Sequence, residues 1–289
     1  MSNEQDRELS HEHVQKVMST IDIPACPAIL TDAMKEAQRD EPDLGRLAKL
    51  IGNDAGMSAA ALKLANSPLY GSGAKISSVR QAVDRLGTKN IVCVVVAVAL
   101  RGSISGVPAA WLEQFWKRIT LVAMIASLVA RRQFGISPDA AYTYALFHDA
   151  AIPMMVRRFP NYMEILGISQ RDRKMLAAVE DEYFPCTHPI IGSLLIRNWG
   201  LPPTLGQAIR FHHEDDAYEL PDRTLPGGAL ALIAVTQVSE RLLAETLQDD
   251  DIEVGGELFD KALAYLGISE NDLDELRQRV TAVIENGES

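Results

Sequence analysis

Ile91-Val92-Cys93-Val94-Val95-Val96-Ala97-Val98-Ala99-Leu100 is the most apolar run of the chain, and its reading decides the fold. Its β-branched content would suit a buried strand, and periodicity alone does not separate such a strand from a buried helix. The flanks arbitrate. On both sides apolar residues recur at helical spacing, so the run is read as a core helix that is apolar on every side. It is also too short for the roughly 20 residues that span a bilayer, and no membrane association is expected.

Working outward, residues 79–86 read as a helix capped by Ser77 or Ser78, whose hydroxyl can accept from the free amides of a first turn. Gly87 is expected to end it. Upstream lie helices over 28–38, 44–52 and 57–65, preceded by a polar tail, a short helix at 11–21, and the link Ile23-Pro24-Ala25-Cys26-Pro27, which its prolines hold extended. Downstream, residues 102–108 read as a hinge between halves. Helices follow over 111–134, 138–147, 171–183, 189–199, 205–213, 229–247, 258–266 and 271–285. Pro153 should end or kink the chain's path just past the second of these, and Ser269 with Asp272 marks the start of the last. The expected fold class is all-α.

Composition sets outer limits. The chain has 289 residues, 47% hydrophobic and 23% charged, as in an ordinary folded protein. A formal net charge of -11 argues against an extended phosphate-binding surface, so no nucleic-acid partner is expected. Cys26, Cys93 and Cys186 are odd in number, lack CxxC spacing and read as buried reduced thiols. The polar N-terminus, residues 1–12, has no apolar region of the kind a secretory signal needs. A cytoplasmic location is expected.

The chemistry concentrates at His148-Asp149, which follows the apolar stretch Ala140-Ala141-Tyr142-Thr143-Tyr144-Ala145-Leu146-Phe147. An imidazole beside a carboxylate suits a divalent metal such as Zn, Mn, Fe or Ni. Two donors do not complete a site. His188 and His212 fall on other elements and could close over the same ion. Each also has a plain structural reading: Thr187-His188-Pro189 looks like a helix start, and His212-His213-Glu214 ends a helix, where an imidazolium meets the dipole favourably. Glu180-Asp181-Glu182 could offer oxygen ligands or a base, or simply face solvent. No GxxxxGK[ST] loop, GxSxG elbow or Rossmann glycine pattern is present, which disfavours P-loop and serine-nucleophile chemistry.

The ordered set Ile23-Pro24-Ala25-Cys26-Pro27, Leu50-Ile51-Gly52-Asn53-Asp54-Ala55-Gly56-Met57, Leu62-Lys63-Leu64-Ala65-Asn66-Ser67 and Ile76-Ser77-Ser78-Val79-Arg80-Gln81-Ala82-Val83-Asp84-Arg85-Leu86-Gly87 resembles the N-terminal half of the HDOD domain, an HD-related output domain of bacterial signalling proteins. The resemblance continues through Trp116, His148-Asp149, His188, Trp199-Gly200-Leu201-Pro202 and Ile209-Arg210-Phe211-His212-His213. It covers residues 20–217. It implies an N-terminal helical subdomain (20–105) packed on an HD-like helical core (108–217), with a tail and first helix before it (1–19) and a C-terminal helical extension after it (218–289).

Related HD phosphohydrolases bind metal through a histidine, an HD pair and a later aspartate. By resemblance, the first histidine position falls on or beside Arg118, and the final aspartate position on Gln237. A guanidinium has no lone pair to offer a metal, and an amide substitutes poorly for a carboxylate. The lysine that often follows the HD pair is replaced by Ala150. These departures imply a degenerate metal site in which Arg118 pairs with Asp149 where an ion would otherwise sit. The expected function is a non-catalytic regulatory module that binds a signalling protein in trans or a small ligand, without a cofactor. The alternatives are a metal-dependent phosphohydrolase of a nucleotide or cyclic dinucleotide, using a divalent ion held by His148, Asp149, His188 and His212, and a nucleotide-binding protein without turnover, with Arg118, Arg157 and Arg158 as phosphate contacts.

Overall fold

The computed structural model describes residues 21–67, 70, 74–172, 174–249 and 254–287; all but the last residue of the helix expected over 11–21 falls outside them. Among the described residues every regular element is helical. In chain order they are α1 (Ala28–Ala37), α2 (Leu44–Gly52), α3 (Ala55–Ala65), α4 (Val79–Ser103), α5 (Ala109–Ala130), α6 (Pro138–Phe147), α7 (Ile152–Arg158), α8 (Tyr162–Asp172), α9 (Leu176–Tyr183), α10 (His188–Asn198), α11 (Pro203–Phe211), α12 (Gly227–Leu247), α13 (Gly256–Leu266) and α14 (Glu270–Gly287).

The decisive run is the second part of α4. Ser78 caps the helix by accepting from the Gln81 amide, and Gly87, at φ 72, breaks its helical path as a residue without Cβ can. Beyond the break Ile91, Val95 and Leu100 are fully buried, and α1, α2, α3 and α6 all pack on this helix. In the second half α5, α6 and α12 pack on one another, α10 pairs with α11, α11 rests on α12, and α13 and α14 cover α12 further round. Leu273, Leu276 and Val280 of α14 are buried, and Arg277 pins α14 to Glu245 of α12 at 3.1 Å.

The helices α7 and α8 were not legible in the sequence. Pro153 signals a stop, but it lies in the first turn of α7, where the missing amide costs nothing because no carbonyl would have accepted from it. The helix expected over 171–183 begins only at Leu176. The proline link is held by the far end of α10: Trp199 Nε1 and Asn198 Nδ2 both donate to the Pro24 carbonyl, at 2.8 and 3.1 Å. No helix among the described residues is long and apolar enough to cross a membrane.

Candidate metal centre

The HD pair sits where α6 stops. The His148 amide still donates to the Tyr144 carbonyl at 2.9 Å, closing the last turn, and Asp149 then leads into α7. His188 opens α10, and His212 and His213 follow directly on α11. Packing of α6, α10 and α11 therefore brings three helix ends together, with Glu240 of α12 facing them.

The orientation of the rings is specific. His148 Nδ1 lies 2.8 Å from the Ala145 carbonyl, His212 Nδ1 lies 2.7 Å from the Ile209 carbonyl, and His188 Nδ1 lies 2.7 Å from Glu180 Oε2. A carbonyl or carboxylate oxygen can only accept, so each Nδ1 carries a proton and donates. All three Nε2 atoms then face Asp149: His148 at 3.0 Å, His188 at 3.3 Å and His212 at 3.4 Å. His148 Nε2 is also 3.0 Å from Glu240 Oε1. Metal-binding histidines are commonly held this way, the remote N–H anchored on an oxygen and the other nitrogen presented to the ion.

Asp149, His188, His212 and His213 offer donor atoms within 4.8 Å of one another, as do His148, Asp149 and Glu240. Asp149 belongs to both groups. The Nε2 atoms of His188 and His213 are 3.1 Å apart, comparable to the roughly 3.0–3.4 Å between neighbouring donors on one ion with bonds near 2.1 Å. Nitrogen and oxygen donors of this kind fit Zn, Mn, Fe or Ni.

Charge is distributed unevenly over the cluster. Burial would lower His148, but Asp149 and Glu240 outweigh it and raise the ring well above its ordinary value. Burial likewise opposes the proton on His188, and Glu180 and Asp149 raise that ring to about 10. Burial would raise Asp149, yet the adjacent His148 and hydrogen bonds from the three rings hold it well below the usual carboxylate range. His212 and His213 are lowered, chiefly by burial and then, for His213, by the neighbouring rings. A divalent cation at this place would take over the positive charge that two imidazolium protons supply.

Arg118 is a correction to the sequence reading. Its guanidinium pairs with Asp249 beyond the end of α12, at 3.6 Å, while the partners of Asp149 are histidines. Gln237 is also not a donor to the cluster. It accepts from Tyr218 Oη at 2.6 Å and donates to the His212 carbonyl at 3.4 Å, so it supports the chain that carries His212. The α12 carboxylate is Glu240, three residues later and on the same helical face. Arg157 bonds to the Asp22 carbonyl and carboxylate at 2.9 and 3.2 Å, and Arg158 lies over Phe159.

A cavity of about 10 Å³ lies between Tyr144, His148, His212, His213, Thr236, Gln237 and Glu240. It has room for about one water or ion. Of Glu180-Asp181-Glu182, Glu180 is fully buried while its two neighbours are exposed. Its burial could have been suspected from α9, where Leu176, Val179 and Glu180 fall on one face.

The architecture is an all-helical domain in which three helix ends converge on one histidine–aspartate cluster. The HDOD domain model matches residues 23–215, and the chain belongs to the HDOD-domain family. The match stops before α12, so Glu240 lies outside it. A crystal structure of an HDOD domain protein with unknown function from Geobacter sulfurreducens is similar with a TM-score of 0.71 at 21% identity, over 96% of this chain and 95% of that one. A "Putative phosphohydrolase" from Shewanella amazonensis SB2B is similar with a TM-score of 0.73 at 23% identity, over 96% of each chain. An uncharacterized protein of Treponema pallidum (strain Nichols) is 24% identical over 194 residues, 66% of this chain and 38% of that protein, so the chain spans well under half of that relative's length.

Proposed function

We propose that this chain is a regulatory module that holds a divalent metal ion among His148, Asp149, His188, His212, His213 and Glu240, and that it acts by binding a signalling protein in trans rather than by turnover. The anchoring of three Nδ1 atoms, which turns three Nε2 atoms on Asp149, carries the metal part of this reading. Binding over turnover is supported by Ala150, which stands directly after the HD pair where related phosphohydrolases often carry a lysine. This replaces a site neutralised by Arg118, whose charge is engaged by Asp249.

Metal analysis of protein purified without chelator tests it. We expect at least about one equivalent of transition metal per chain, a thermal midpoint that drops on chelation, and no turnover of phosphodiesters. Protein that is metal-free and does not respond to added Mn, Ni or Zn would refute the metal part.

One observation favours a second reading. Asp149 is shared by two donor groups, and a carboxylate between two ions is what a two-metal hydrolase uses to activate water against phosphorus. Turnover of a cyclic dinucleotide or nucleotide with Mn or Ni, lost in His148→Ala, would establish that reading instead.

A further inference from the structure

We propose that Glu180 is a positioning residue for this centre: backed by Tyr162, it sets the tautomer and direction of the His188 ring, and through that ring the affinity for the ion. The proposal rests on the metal-binding reading above, and its geometry comes from a different part of the molecule. Glu180 lies on α9, and Tyr162 lies on α8; both are fully buried.

A buried carboxylate is tolerated only when its oxygens are supplied with donors. Glu180 has three. Oε2 accepts from the His188 amide at 2.8 Å and from His188 Nδ1 at 2.7 Å, and Oε1 accepts from the Tyr162 hydroxyl. The first of these bonds replaces a helix cap, because Thr187 makes no side-chain bond to the first turn of α10. The second has a different effect. With its proton directed to Glu180, Nδ1 is unavailable, and Nε2 is the nitrogen that faces Asp149 at 3.3 Å and His213 at 3.1 Å.

His148 and His212 are oriented by carbonyls of their own helices, three residues back. His188 cannot be, because it stands at the start of α10 and has no preceding turn. A carboxylate brought from another helix does the same work. Tyr162 fixes that carboxylate in turn, and its own ring is held against Phe184 at a centroid distance of 5.5 Å. Changing such an outer partner typically costs about 10–100-fold in metal affinity.

The test compares wild type, Glu180→Gln, Tyr162→Phe and His188→Ala by two readouts: Zn affinity from chelator competition, and the long-range proton–nitrogen spectrum of the histidine rings in metal-free protein. A Gln keeps an accepting oxygen for the cap but removes the charge that selects Nδ1–H. We expect Glu180→Gln to lower Zn affinity about 10–100-fold and to lose the Nδ1–H form of His188. Tyr162→Phe should move both readouts the same way by less, and it stands in if Glu180→Gln does not fold. If His188→Ala weakens Zn binding while both readouts are unchanged in Glu180→Gln and Tyr162→Phe, the positioning role is overturned and the metal centre stands. If wild type binds no Zn, the metal reading falls; the ring spectrum still decides whether Glu180 orients His188.

Discussion

Gly192→Ala isolates the close contact that brings the histidine-bearing helices together. Gly192 lies within α10, and a Cβ added there would come 2.7 Å from Ile209 Cγ2 of α11, with the His148 carbonyl at 3.8 Å and Ala151 Cβ at 3.9 Å. Carbon atoms pack at about 3.5–4.0 Å, so α10 and α11 must part by roughly 1 Å or Ile209 must leave its rotamer. Ile209 is fully buried, and its β-branch makes χ1 stiff. Overpacking of this kind costs about 1–3 kcal/mol, while Gly to Ala in a helix interior returns about 1 kcal/mol. The expected net loss is about 1 kcal/mol in urea unfolding. Ile209→Ala, which removes the clashing methyl, should cost about 2–5 kcal/mol alone and recover on the order of 1 kcal/mol of that loss through coupling in the double variant. Because α10 begins with His188 and α11 leads into His212, metal affinity should fall with stability. If Gly192→Ala instead stabilises by the full helix-propensity gain of about 1 kcal/mol, the two helices are not in the close packing described, and the argument for how the site is assembled fails.

Glu240→Gln should lower metal affinity by at least about tenfold, the scale on which even outer partners of metal ligands act; Gln237→Ala should leave it nearer wild type, and the reverse order would mean that Glu240 does not supply the α12 donor. Trp199→Phe removes the donor to Pro24 while Asn198 keeps its own bond, so a loss of about 1 kcal/mol and faster proteolysis of residues 21–27 are expected; an unchanged cleavage rate would mean that the link is held elsewhere. Burial pushes the Cys93 thiol up to about 12 and the Cys186 thiol up to about 11, whereas Cys26 is half-buried. At pH 8 one thiol per chain should react quickly with a disulfide reagent, and three should react on unfolding. The raised Cys93 value also has a linkage consequence: its contribution is fully present below the unfolded thiol's ordinary value of 9.0 and is lost as pH rises toward about 12, so alkaline destabilisation should be shallower in Cys93→Ala.

Local signals in the sequence determined much of the scaffold. The apolar run 91–100 was legible as a core helix because its neighbours carry helical periodicity, and α2 and α6 have the bounds expected from that spacing. His148, Asp149, His188 and His212 could be named as donors from residue type alone, and the structure brings those four together. Residue chemistry and helical spacing are encoded within a few turns, so a sequence shows them directly.

Tertiary structure alone decided which faces meet. His148 and Glu240 are 92 residues apart, and His212 and Asp149 are 63 apart; a shift of one turn along α12 separates Glu240 from Gln237, and no local pattern fixes that register. The same holds for Arg118, which has the charge to neutralise Asp149 but pairs with Asp249. Glu180 shows the principle most plainly. In sequence it is one of three adjacent acids, set apart only by sharing a helical face with Leu176 and Val179, and only the packing of α8 and α9 against the start of α10 supplies it with donors and turns a histidine toward the centre.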